Sequence, residues 1–344
     1  MSTYNLGIIG AGMYGKILIR AFQKDLRRAN ITWVNSASEG TTKSAAEEFG
    51  VEKWSTDYRD VLADSSVDAI VIATPPFVHA EQLEESLKAG KHVLLEKPIA
   101  ESRESLERIV KAVGDAPDQK VLEASCRHTR LTRKYQFIKD MINSGKLGKV
   151  YHIHHNTLSR GTFIEYNPNG AWAMNKELAG GGPFADRGVY DLSFHLGLLN
   201  DVPQLKSVKR FTRNDLRDMS KYVEFSDVEQ HGAAWMEFDT GLTYYYENGG
   251  GVHNETPNET RLYGTKGGLR FHHYSWDSNE VEFFTTEKGE PRKETLTVDT
   301  TGQPDDALAI TTHFLDYLDG KAEPLMTVPL AAKHMEILFR ILEG

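Results

Sequence analysis

Three side chains in this 344-residue sequence have types and settings that suit catalysis, and the first is Lys97. It follows the apolar run 93–95 and Glu96, and it precedes Pro98. That pattern is typical of a buried parallel strand that ends at its carboxyl edge, where open α/β sheets bind ligands. The proline favours an extended Lys97 and admits a cis peptide. A fixed ammonium at this edge suits catalysis, although a solvated loop lysine is the alternative.

The other two side chains, Asp186 and Tyr190, follow a glycine run over residues 180–182. They are four positions apart, so on one helix they would share a face and point together into a cleft. Tyr190 is then the predicted general acid/base, and Asp186 positions substrate or lysine. An ammonium about 4 Å from the phenol would favour the phenolate by roughly 4 kcal/mol at most. The alternatives are that Lys97 carries the proton itself, or that Asp186 and Tyr190 are a surface pair.

A glycine turn near the amino terminus predicts a dinucleotide site. The apolar strand 6–9 runs into a G-x-G-x-x-G pattern and then into a helix-like segment from Lys16 to Lys24. The first glycine makes the tight turn, the second admits a pyrophosphate, and the third lets helix pack on strand. Free N–H groups at the helix start would bind the phosphates. The predicted contact residues are Gly10, Gly12, Met13, Tyr14 and Gly15.

The end of the second predicted strand bears on which dinucleotide binds. This strand, residues 31–34, leads into Ser36, and no carboxylate follows until Glu39. Dinucleotide-binding folds often place an acidic residue there to hold the ribose hydroxyls of NAD. Its absence removes a charge that would repel the 2′-phosphate of NADP, and Lys43 offers a cation. We therefore expect NADP(H) to be used at least as well as NAD(H), with a plain loop as the alternative.

The remaining pattern of the first 125 residues predicts a doubly wound parallel sheet. Strands and amphipathic helices alternate over residues 5–125, which is typical of such sheets. The buried strand 67–73 ends at Thr74 and Pro75, and His79 follows at the start of a helix. Because the carboxyl ends of parallel strands lie at one edge, we expect these residues beside Lys97 and the cofactor.

The second half of the chain predicts a different sheet. Short strands separated by turns form an antiparallel meander, with hairpin signals at residues 239–241 and 265–268. A large open sheet leaves one face in need of cover, so we expect a homodimer or homotetramer. Two closing helices, 306–318 and 329–342, have apolar residues at helical spacing. We expect a dinucleotide-binding domain over 1–125 and a substrate-binding, oligomerising domain over 126–344, with the closing helices able to pack on the first.

Composition excludes several partners. Net charge is −9, so no global positive field favours nucleic acid or an anionic membrane. The single cysteine, Cys126, excludes an intramolecular disulfide framework and fits a reducing compartment. With no leader-like segment and no run of about 20 apolar residues, we expect a cytoplasmic protein. The histidine pairs 154–155 and 272–273 would face opposite sides of strands, so we expect no metal site.

Together, the motifs 10–15, 73–76 with His79, and 96–98 resemble those of the glucose-fructose oxidoreductase and inositol dehydrogenase (Gfo/Idh/MocA) family. The resemblance implies a Rossmann domain, an open-sheet domain and a nicotinamide cofactor bound between them. It also implies that Lys97 lies near nicotinamide and substrate, and that Asp186 to Tyr190 is the D-x-G-x-Y form of a family motif.

Further site residues follow from the resemblance. Trp172 matches a tryptophan that relatives carry before the glycine run, but Ala173 stands where an arginine is common, which leaves substrate recognition open. In relatives a basic residue near Arg127 faces the cleft, whereas the basic run 127–134 alone would be a solvated helix start. The expected polar wall residues are Arg127, His154, Asn156, Arg160, Arg187 and His195, although each of these types taken singly is more often a satisfied core or surface residue.

The sequence thus predicts an NAD(P)-dependent oxidoreductase. The expected reaction moves a hydride between nicotinamide and a secondary alcohol or ketone of a sugar, cyclitol or related diol. One alternative is a glycosidase that retains NAD and cleaves its substrate through transient ring oxidation and elimination. A second alternative is a non-catalytic protein that senses dinucleotide and binds partners.

Overall fold

The structure is a computed structural model that describes residues 3–25, 27–254, 256–272, 274 and 278–343. The chain divides into two compact units. The first runs to Arg127 and includes Pro304–Lys333; the second comprises His128–Gln303 and the residues from His334 onward. Part of the carboxyl-terminal chain therefore belongs to the first unit.

The first unit is built on a six-stranded parallel sheet with the order β3-β2-β1-β4-β5-β6. This is the strand order of dinucleotide-binding folds, which bring the carboxyl ends of β1 and β4 together where the order reverses. The predicted parallel sheet is confirmed. Its strands are β1 (Tyr4–Ile9), β2 (Ala29–Asn35), β3 (Lys53–Ser55), β4 (Ala69–Ile72), β5 (His92–Leu95) and β6 (Val121–Glu123).

Helices connect these parallel strands. Several begin at side-chain caps: Ser38 accepts a hydrogen bond from Thr41 N, and Ser102 accepts one from Ser105 N. Between α4 and β5 the chain turns at Gly90, which has a φ of +75°. The helices are α1 (Met13–Phe22), α2 (Glu39–Phe49), α3 (Tyr58–Ala63), α4 (His79–Lys88) and α5 (Arg103–Gly114).

The second unit is built on an eight-stranded sheet with the order β14-β13-β12-β11-β7-β10-β9-β8. The β7–β10 pair is parallel and the other described pairs are antiparallel, so the predicted, mostly antiparallel open sheet is confirmed. The predicted turn at 239–241 joins β9 to β10. The strands are β7 (Val150–Ser159), β8 (Leu205–Arg213), β9 (His231–Phe238), β10 (Thr243–Gly250), β11 (Glu259–Gly264), β12 (Gly267–Phe271), β13 (Glu280–Glu287) and β14 (Glu290–Thr297).

The helices of the second unit depart from the prediction at one important place. Asp186 ends one short helix and Tyr190 lies in the next, because the hydrogen-bond ladder breaks around Arg187. The premise that Asp186 and Tyr190 share one continuous helix is therefore wrong. The helices of this unit are α6 (Arg133–Asn143), α7 (Phe163–Tyr166), α8 (Lys176–Ala179), α9 (Pro183–Asp186) and α10 (Gly188–Leu198). Two helices close the chain: α11 (Asp306–Leu318) belongs to the first unit, and α12 (Val328–Glu343) begins in the first and ends in the second.

The two faces of the second sheet differ. All 11 residues of α10 are buried, and the helix packs on the face that carries Tyr244 and Tyr246. Alternation along the strands directs their neighbours, such as Tyr245, to the other face. That face exposes large aromatic side chains, among them Trp235 at 42% and Phe211 at 47%.

Other expectations concern membranes, metals and Cys126. Among the described residues, no helix combines the length and the apolar character needed to cross a bilayer. The same residues contain no cluster of three or more histidine, cysteine or acidic side chains able to hold a metal ion. Cys126 is buried, and the predicted pair 272–273 includes His273, which lies outside the described residues.

Candidate functional site

The glycine turn after β1 has the geometry that a pyrophosphate requires. Gly10 has a φ of +98°, and a Cβ there would lie 2.6 Å from backbone atoms of Ala73, so only glycine fits. A Cβ at Gly15 would collide with Gly10 O at 2.1 Å. At Gly12, by contrast, an added Cβ would meet no described atom within 4 Å. The turn is tight at its first and third glycines and open at its second.

The start of α1 adds the anion-binding feature of the site. Gly12 is the N-cap, and within the described chain no side chain caps the helix and no acid lies in its first turn. The N–H groups of this turn are thus available to an anion, which the helix dipole also favours. Met13 is exposed and Tyr14 is half-buried beside it. These residues fit a dinucleotide pyrophosphate.

The end of β2 lacks the carboxylate that often binds the adenosine ribose. Asn35 is the last residue of the strand, and its amide donates to Ser55 O at 2.8 Å. Ser36 follows, and its carbonyl accepts a hydrogen bond from Thr42 Oγ1 at 3.0 Å. Glu39, the first acid beyond, pairs with Lys43 at 2.6 Å. Lys43, the predicted phosphate ligand, therefore has a local carboxylate partner.

The His79 side chain contacts the backbone of two loops at the carboxyl edge of the first sheet. Its ring is fully buried, with Nε2 2.8 Å from Thr74 O and Nδ1 3.3 Å from Ile99 O. Burial lowers the pKa of His79, and both ring nitrogens face backbone carbonyl oxygens. The loops it joins contain Thr74–Pro75 and Lys97. Contact of His79 with the cofactor stays a prediction.

Lys97 lies where the sequence predicts, directly beyond β5. The Lys97–Pro98 peptide is cis, and the lysine side chain is half-buried. The backbone N–H of Lys97 donates to Glu96 Oε2 at 3.2 Å, so the neighbouring carboxylate fixes the start of this loop. Glu96 itself is only 5% exposed. Lys97 thus projects from a short, well-held turn at the same edge of the sheet as the glycine turn.

Arg127 occupies an unexpected position within the first unit. It is 5% exposed, and Nη1 donates to both carboxylate oxygens of Glu96. Its guanidinium carbon lies 4.1 Å from the ring centroid of Tyr14, and Nε lies 3.6 Å from Asp306 Oδ2 on α11. We call Tyr14, Glu96, Arg127 and Asp306 the Arg127 cluster. Substrate contact by Arg127 stays a prediction, whereas these contacts give the residue partners in its own unit.

Glu123, at the end of β6, was missed by the sequence analysis. It is 1% exposed and lies opposite Leu95 in the sheet, one residue from Glu96. Its Oε2 accepts hydrogen bonds from Ser125 N at 2.8 Å and Ser125 Oγ at 2.5 Å. Burial raises the pKa of Glu123 to about 7, against the lowering effect of these hydrogen bonds. The signal in the sequence was an acidic residue directly after the apolar residues Val121 and Leu122, which would have indicated Glu123.

In the second unit, Tyr190 is almost completely buried at the start of α10. It is 4% exposed, and its ring packs edge-on against His128, with 4.8 Å between the centroids. Its backbone N–H donates to Arg187 O at 2.9 Å, in the break that separates it from Asp186. Arg187, in turn, donates to Gly249 O at 2.7 Å. Because of this break, the four-residue spacing on an ideal helix does not determine the directions of the Asp186 and Tyr190 side chains.

Behind Tyr190 lies a buried polar network that the sequence did not predict. The hydroxyl of Tyr246 donates to Asp191 Oδ2 at 2.6 Å, and Tyr244 lies 2.7 Å from His195 Nδ1. Asp191 and His195 both belong to α10 and are 0% exposed. His195, expected as a polar cleft residue, is therefore a core residue that fastens α10 to the sheet.

Thr260 links the two histidines of the network. Thr260 Oγ1 contacts His195 Nε2 at 2.9 Å and His155 Nδ1 at 2.8 Å, and its one hydrogen serves only one of them. Burial raises the pKa of Tyr244, so its hydroxyl stays protonated beside His195 Nδ1. His155 Nε2 lies 2.8 Å from Thr157 Oγ1 and 3.5 Å from Asp191 Oδ1. We call these residues, with Tyr246, the α10 network.

Several other predicted wall residues are not brought together with Tyr190. Strand alternation places His154 and Asn156 on the sheet face opposite α10. His154 stacks on Tyr245 with 4.8 Å between centroids, and the Asn156 amide donates to Pro257 O at 2.6 Å. The alternation along β7 could have shown this, because His155, between His154 and Asn156, faces the opposite side and is fully buried.

The remaining predicted residues lie in loops of the second unit. Trp172 is half-buried in a short 3-10 helix, Ala171–Met174, with its ring 6.4 Å from that of Phe163. Arg160 is exposed beyond the end of β7, where its carbonyl accepts from Arg217 Nη2 at 2.8 Å. Their expected contacts with cofactor or substrate stay predictions.

Family models match both parts of this chain. A model described as "Oxidoreductase family, NAD-binding Rossmann fold" (GFO_IDH_MocA) matches residues 4–122. A second, described as "GFO/IDH/MocA C-terminal domain", matches residues 135–270. The two matches follow the order of the two sheets along the sequence.

Individual proteins are similar at lower identity. Levoglucosan dehydrogenase from Pseudarthrobacter phenanthrenivorans is 25% identical over 60% of this chain and 54% of its own length. The scyllo-inositol 2-dehydrogenase (NAD(+)) from Bacillus subtilis is 25% identical over 68% of this chain and 64% of its own. Both alignments thus span under two thirds of the relative. A levoglucosan dehydrogenase structure in complex with NADH and levoglucosan matches the fold with a TM-score of 0.84 at 20% identity, covering 99% of this chain and 97% of that one.

Proposed function

This chain belongs to the Gfo/Idh/MocA oxidoreductase family, and we propose that it transfers a hydride between nicotinamide and a secondary alcohol or ketone of a sugar, cyclitol or related diol. The first unit, with its NAD-binding Rossmann fold, would bind the dinucleotide. The second would bind the substrate. Relatives named for levoglucosan and scyllo-inositol support this class of substrate.

One observation carries the proposal. Lys97 follows β5 at the same edge of the sheet as the open glycine turn, and hydrogen bonding to Glu96 holds its backbone. An enzyme that binds NAD(P) at that turn needs a cation and a proton donor near its reacting oxygen. A protein that only senses dinucleotide has no need of a lysine held in this way.

Each catalytic side chain has a proposed role. The bound cofactor supplies the hydride chemistry. Tyr190 acts as the general acid/base that exchanges a proton with the reacting hydroxyl. Lys97 orients that oxygen and favours the phenolate of Tyr190, since an unassisted phenol is a poor base at neutral pH. Asp186 positions the substrate or the lysine ammonium.

The cofactor preference is a finer part of the proposal. We propose that NADP(H) binds at least as well as NAD(H), because β2 ends at Asn35 and is followed by Ser36, without a carboxylate. The Lys43–Glu39 pair can open toward a phosphate, since both side chains are largely exposed. Dissociation constants for both cofactors, measured at one salt concentration, test this. An NADP constant ten times weaker than that of NAD, or about 1.4 kcal/mol, contradicts it.

A panel assay tests the activity and separates it from the two alternatives. The protein is mixed with NAD(P) and a series of sugars, polyols and aryl glycosides while absorbance at the nicotinamide band is followed. A dehydrogenase changes that absorbance in proportion to turnover. A redox-assisted glycosidase releases aglycone without net cofactor change, and a sensor binds cofactor and does neither. Either of the last two outcomes refutes the proposed reaction.

Self-association through the open face of the second sheet is part of the proposal. Trp235, Phe211 and Tyr263 expose 42%, 47% and 38% of their surface there, and contiguous apolar surface of this kind favours an interface. We expect dimers or tetramers at micromolar concentration. Light scattering that gives the mass of one chain refutes this assembly, whereas Trp235→Ser is expected to shift the mass toward the monomer.

A further inference from the structure

The Arg127 cluster joins three separate segments of the first unit. Tyr14 belongs to the glycine turn and the first turn of α1, Glu96 precedes Lys97 after β5, and Asp306 begins α11. The guanidinium of Arg127 contacts all three, through the ring centroid of Tyr14 at 4.1 Å, the Glu96 carboxylate, and Asp306 Oδ2 at 3.6 Å. Among these described contacts, Tyr14 and Asp306 also meet directly, but only the Arg127 side chain contacts all three segments.

The cluster is buried enough for these contacts to be strong. The side chains of Arg127 and Glu96 are 5% and 7% exposed, so water screens their charges weakly. Burial raises the pKa of Tyr14 well above its usual value, which keeps the ring neutral and suited to a cation–π contact. Tyr14 also donates to Asp306 Oδ2 at 3.4 Å. Removing Arg127 would therefore leave two carboxylates and an aromatic face without their shared cation.

The backbone that carries Arg127 is itself fixed. Glu123 accepts two hydrogen bonds from Ser125, and Arg127 N donates to Ala124 O at 3.1 Å. These bonds hold a short 3-10 helix, Ala124–Cys126, that follows β6 directly. The guanidinium thus projects from a turn anchored in the sheet. Because its backbone is anchored, the Arg127 side chain resists a displacement of Tyr14 or Glu96.

We propose that Arg127 is a positioning residue that couples the dinucleotide turn to the Lys97 loop, so that cofactor affinity at the turn depends on the Glu96 carboxylate. The inference rests on the proposed function, since it assumes that the glycine turn binds NAD(H). The planar guanidinium stacks on Tyr14 while its N–H groups bond Glu96. A lysine ammonium is a compact point charge and cannot make both contacts with the same geometry.

The test is a double-mutant cycle measured in two backgrounds. Tyr14→Leu removes the ring and Glu96→Gln removes the charge, and the NADH dissociation constant is measured by fluorescence for both single variants and the double variant. The same cycle is repeated with Arg127→Met. Direct effects of Tyr14 on the cofactor cancel within each cycle, which leaves the interaction between the two sites.

With Arg127 present, we expect the double variant to differ at least fivefold from the product of the two single effects. With Arg127→Met, we expect agreement within twofold. Additive effects in the Arg127 background, or equal non-additivity in both backgrounds, overturn the inference. A residue that merely stabilises the fold would lower the melting temperature and leave the non-additivity unchanged.

Arg127→Lys covers the case in which Arg127→Met does not fold. It keeps the charge beside Glu96 and is expected to reduce the non-additivity by more than half; full retention counts against the inference. Because NADH binding is the readout, a chain that binds NADH but turns over no sugar still tests the coupling. Failure to bind NADH at all would instead refute the proposed function.

Discussion

The Arg127 cluster supports the predicted cofactor turn and the Lys97 loop, and the α10 network supports the helix that carries Tyr190. The two clusters are stabilised by different interactions. In the first unit, the Arg127 guanidinium contacts two carboxylates and an aromatic ring, so electrostatic attraction stabilises the cluster. In the second, hydroxyls and imidazoles form a hydrogen-bonded chain that reaches one carboxylate, Asp191. Charged contacts act over several ångströms, whereas a hydrogen bond is lost when one of its partners is removed.

This difference predicts distinct consequences for the two units. Variants of the first unit should change cofactor affinity and its dependence on pH, because charges near the glycine turn are altered. Variants of the second should change kcat or stability and leave cofactor affinity nearly constant. An enzyme that separates cofactor binding from proton transfer in this way gives each variant a characteristic pair of readouts.

The largest expected effect is that of Tyr190→Phe. Removing the hydroxyl removes the proposed general acid/base, so we expect kcat to fall at least about 100-fold while the cofactor dissociation constant stays within a few-fold. The ring and its packing against His128 remain, which makes the variant conservative. Steady-state kinetics across pH test the prediction. Near-normal kcat with an unchanged pH profile would move the proton-transfer role to Lys97.

The next effect is on stability. Tyr246→Phe removes the hydrogen bond to the buried Asp191, and we expect the free energy of unfolding to fall by about 2 to 3 kcal/mol. Tyr245→Phe is the matched control, because its hydroxyl donates to Glu247 on the less buried face, and its loss should be below about 0.5 kcal/mol. Urea denaturation measures both. Equal losses of unfolding free energy would show that the buried Tyr246–Asp191 hydrogen bond stabilises the fold no more than the Tyr245–Glu247 bond does.

The smallest effect concerns the pH dependence of stability. Burial raises the pKa of Glu123 to about 7, so the folded protein keeps a proton that the unfolded chain releases near pH 4.3. The stabilisation from that proton is present below about pH 4.3 and is lost as pH rises through about 7, with a slope of at most about 1.4 kcal/mol per pH unit.

Glu123→Gln isolates this contribution. The amide oxygen can still accept from Ser125, but the side chain no longer titrates. We expect wild type to lose stability relative to the variant as pH rises from about 5 to about 7.5. Parallel stability curves over that range would contradict the assigned pKa shift.

The sequence predicted the first sheet well because its signals are local. The glycine turn, the proline after Lys97 and the apolar strands each constrain the nearby backbone, and the structure has the corresponding features at Gly10, Gly12 and Lys97. The open sheet was also predictable, since turn residues separate its strands. These elements follow from short stretches of sequence that need no distant partner.

The side-chain partners were less predictable because they depend on distant residues. Arg127 bonds Glu96, 31 positions away, and packs beside Asp306, so no local pattern identified the cluster. His195 was expected in a cleft, but its partners Tyr244 and Thr260 lie on strands that only the tertiary fold brings beneath α10. The break at Arg187 was hidden because residues 183–198 are compatible with one helix.

Isotope transfer tests the proposed reaction most directly. A substrate found by the panel is prepared with deuterium on its carbinol carbon and mixed with oxidised cofactor and stoichiometric enzyme. Hydride transfer predicts reduced cofactor that carries one deuterium at the nicotinamide C4 position, in proportion to the ketone formed. Product formation with no deuterium in the recovered cofactor would contradict net hydride transfer by this protein.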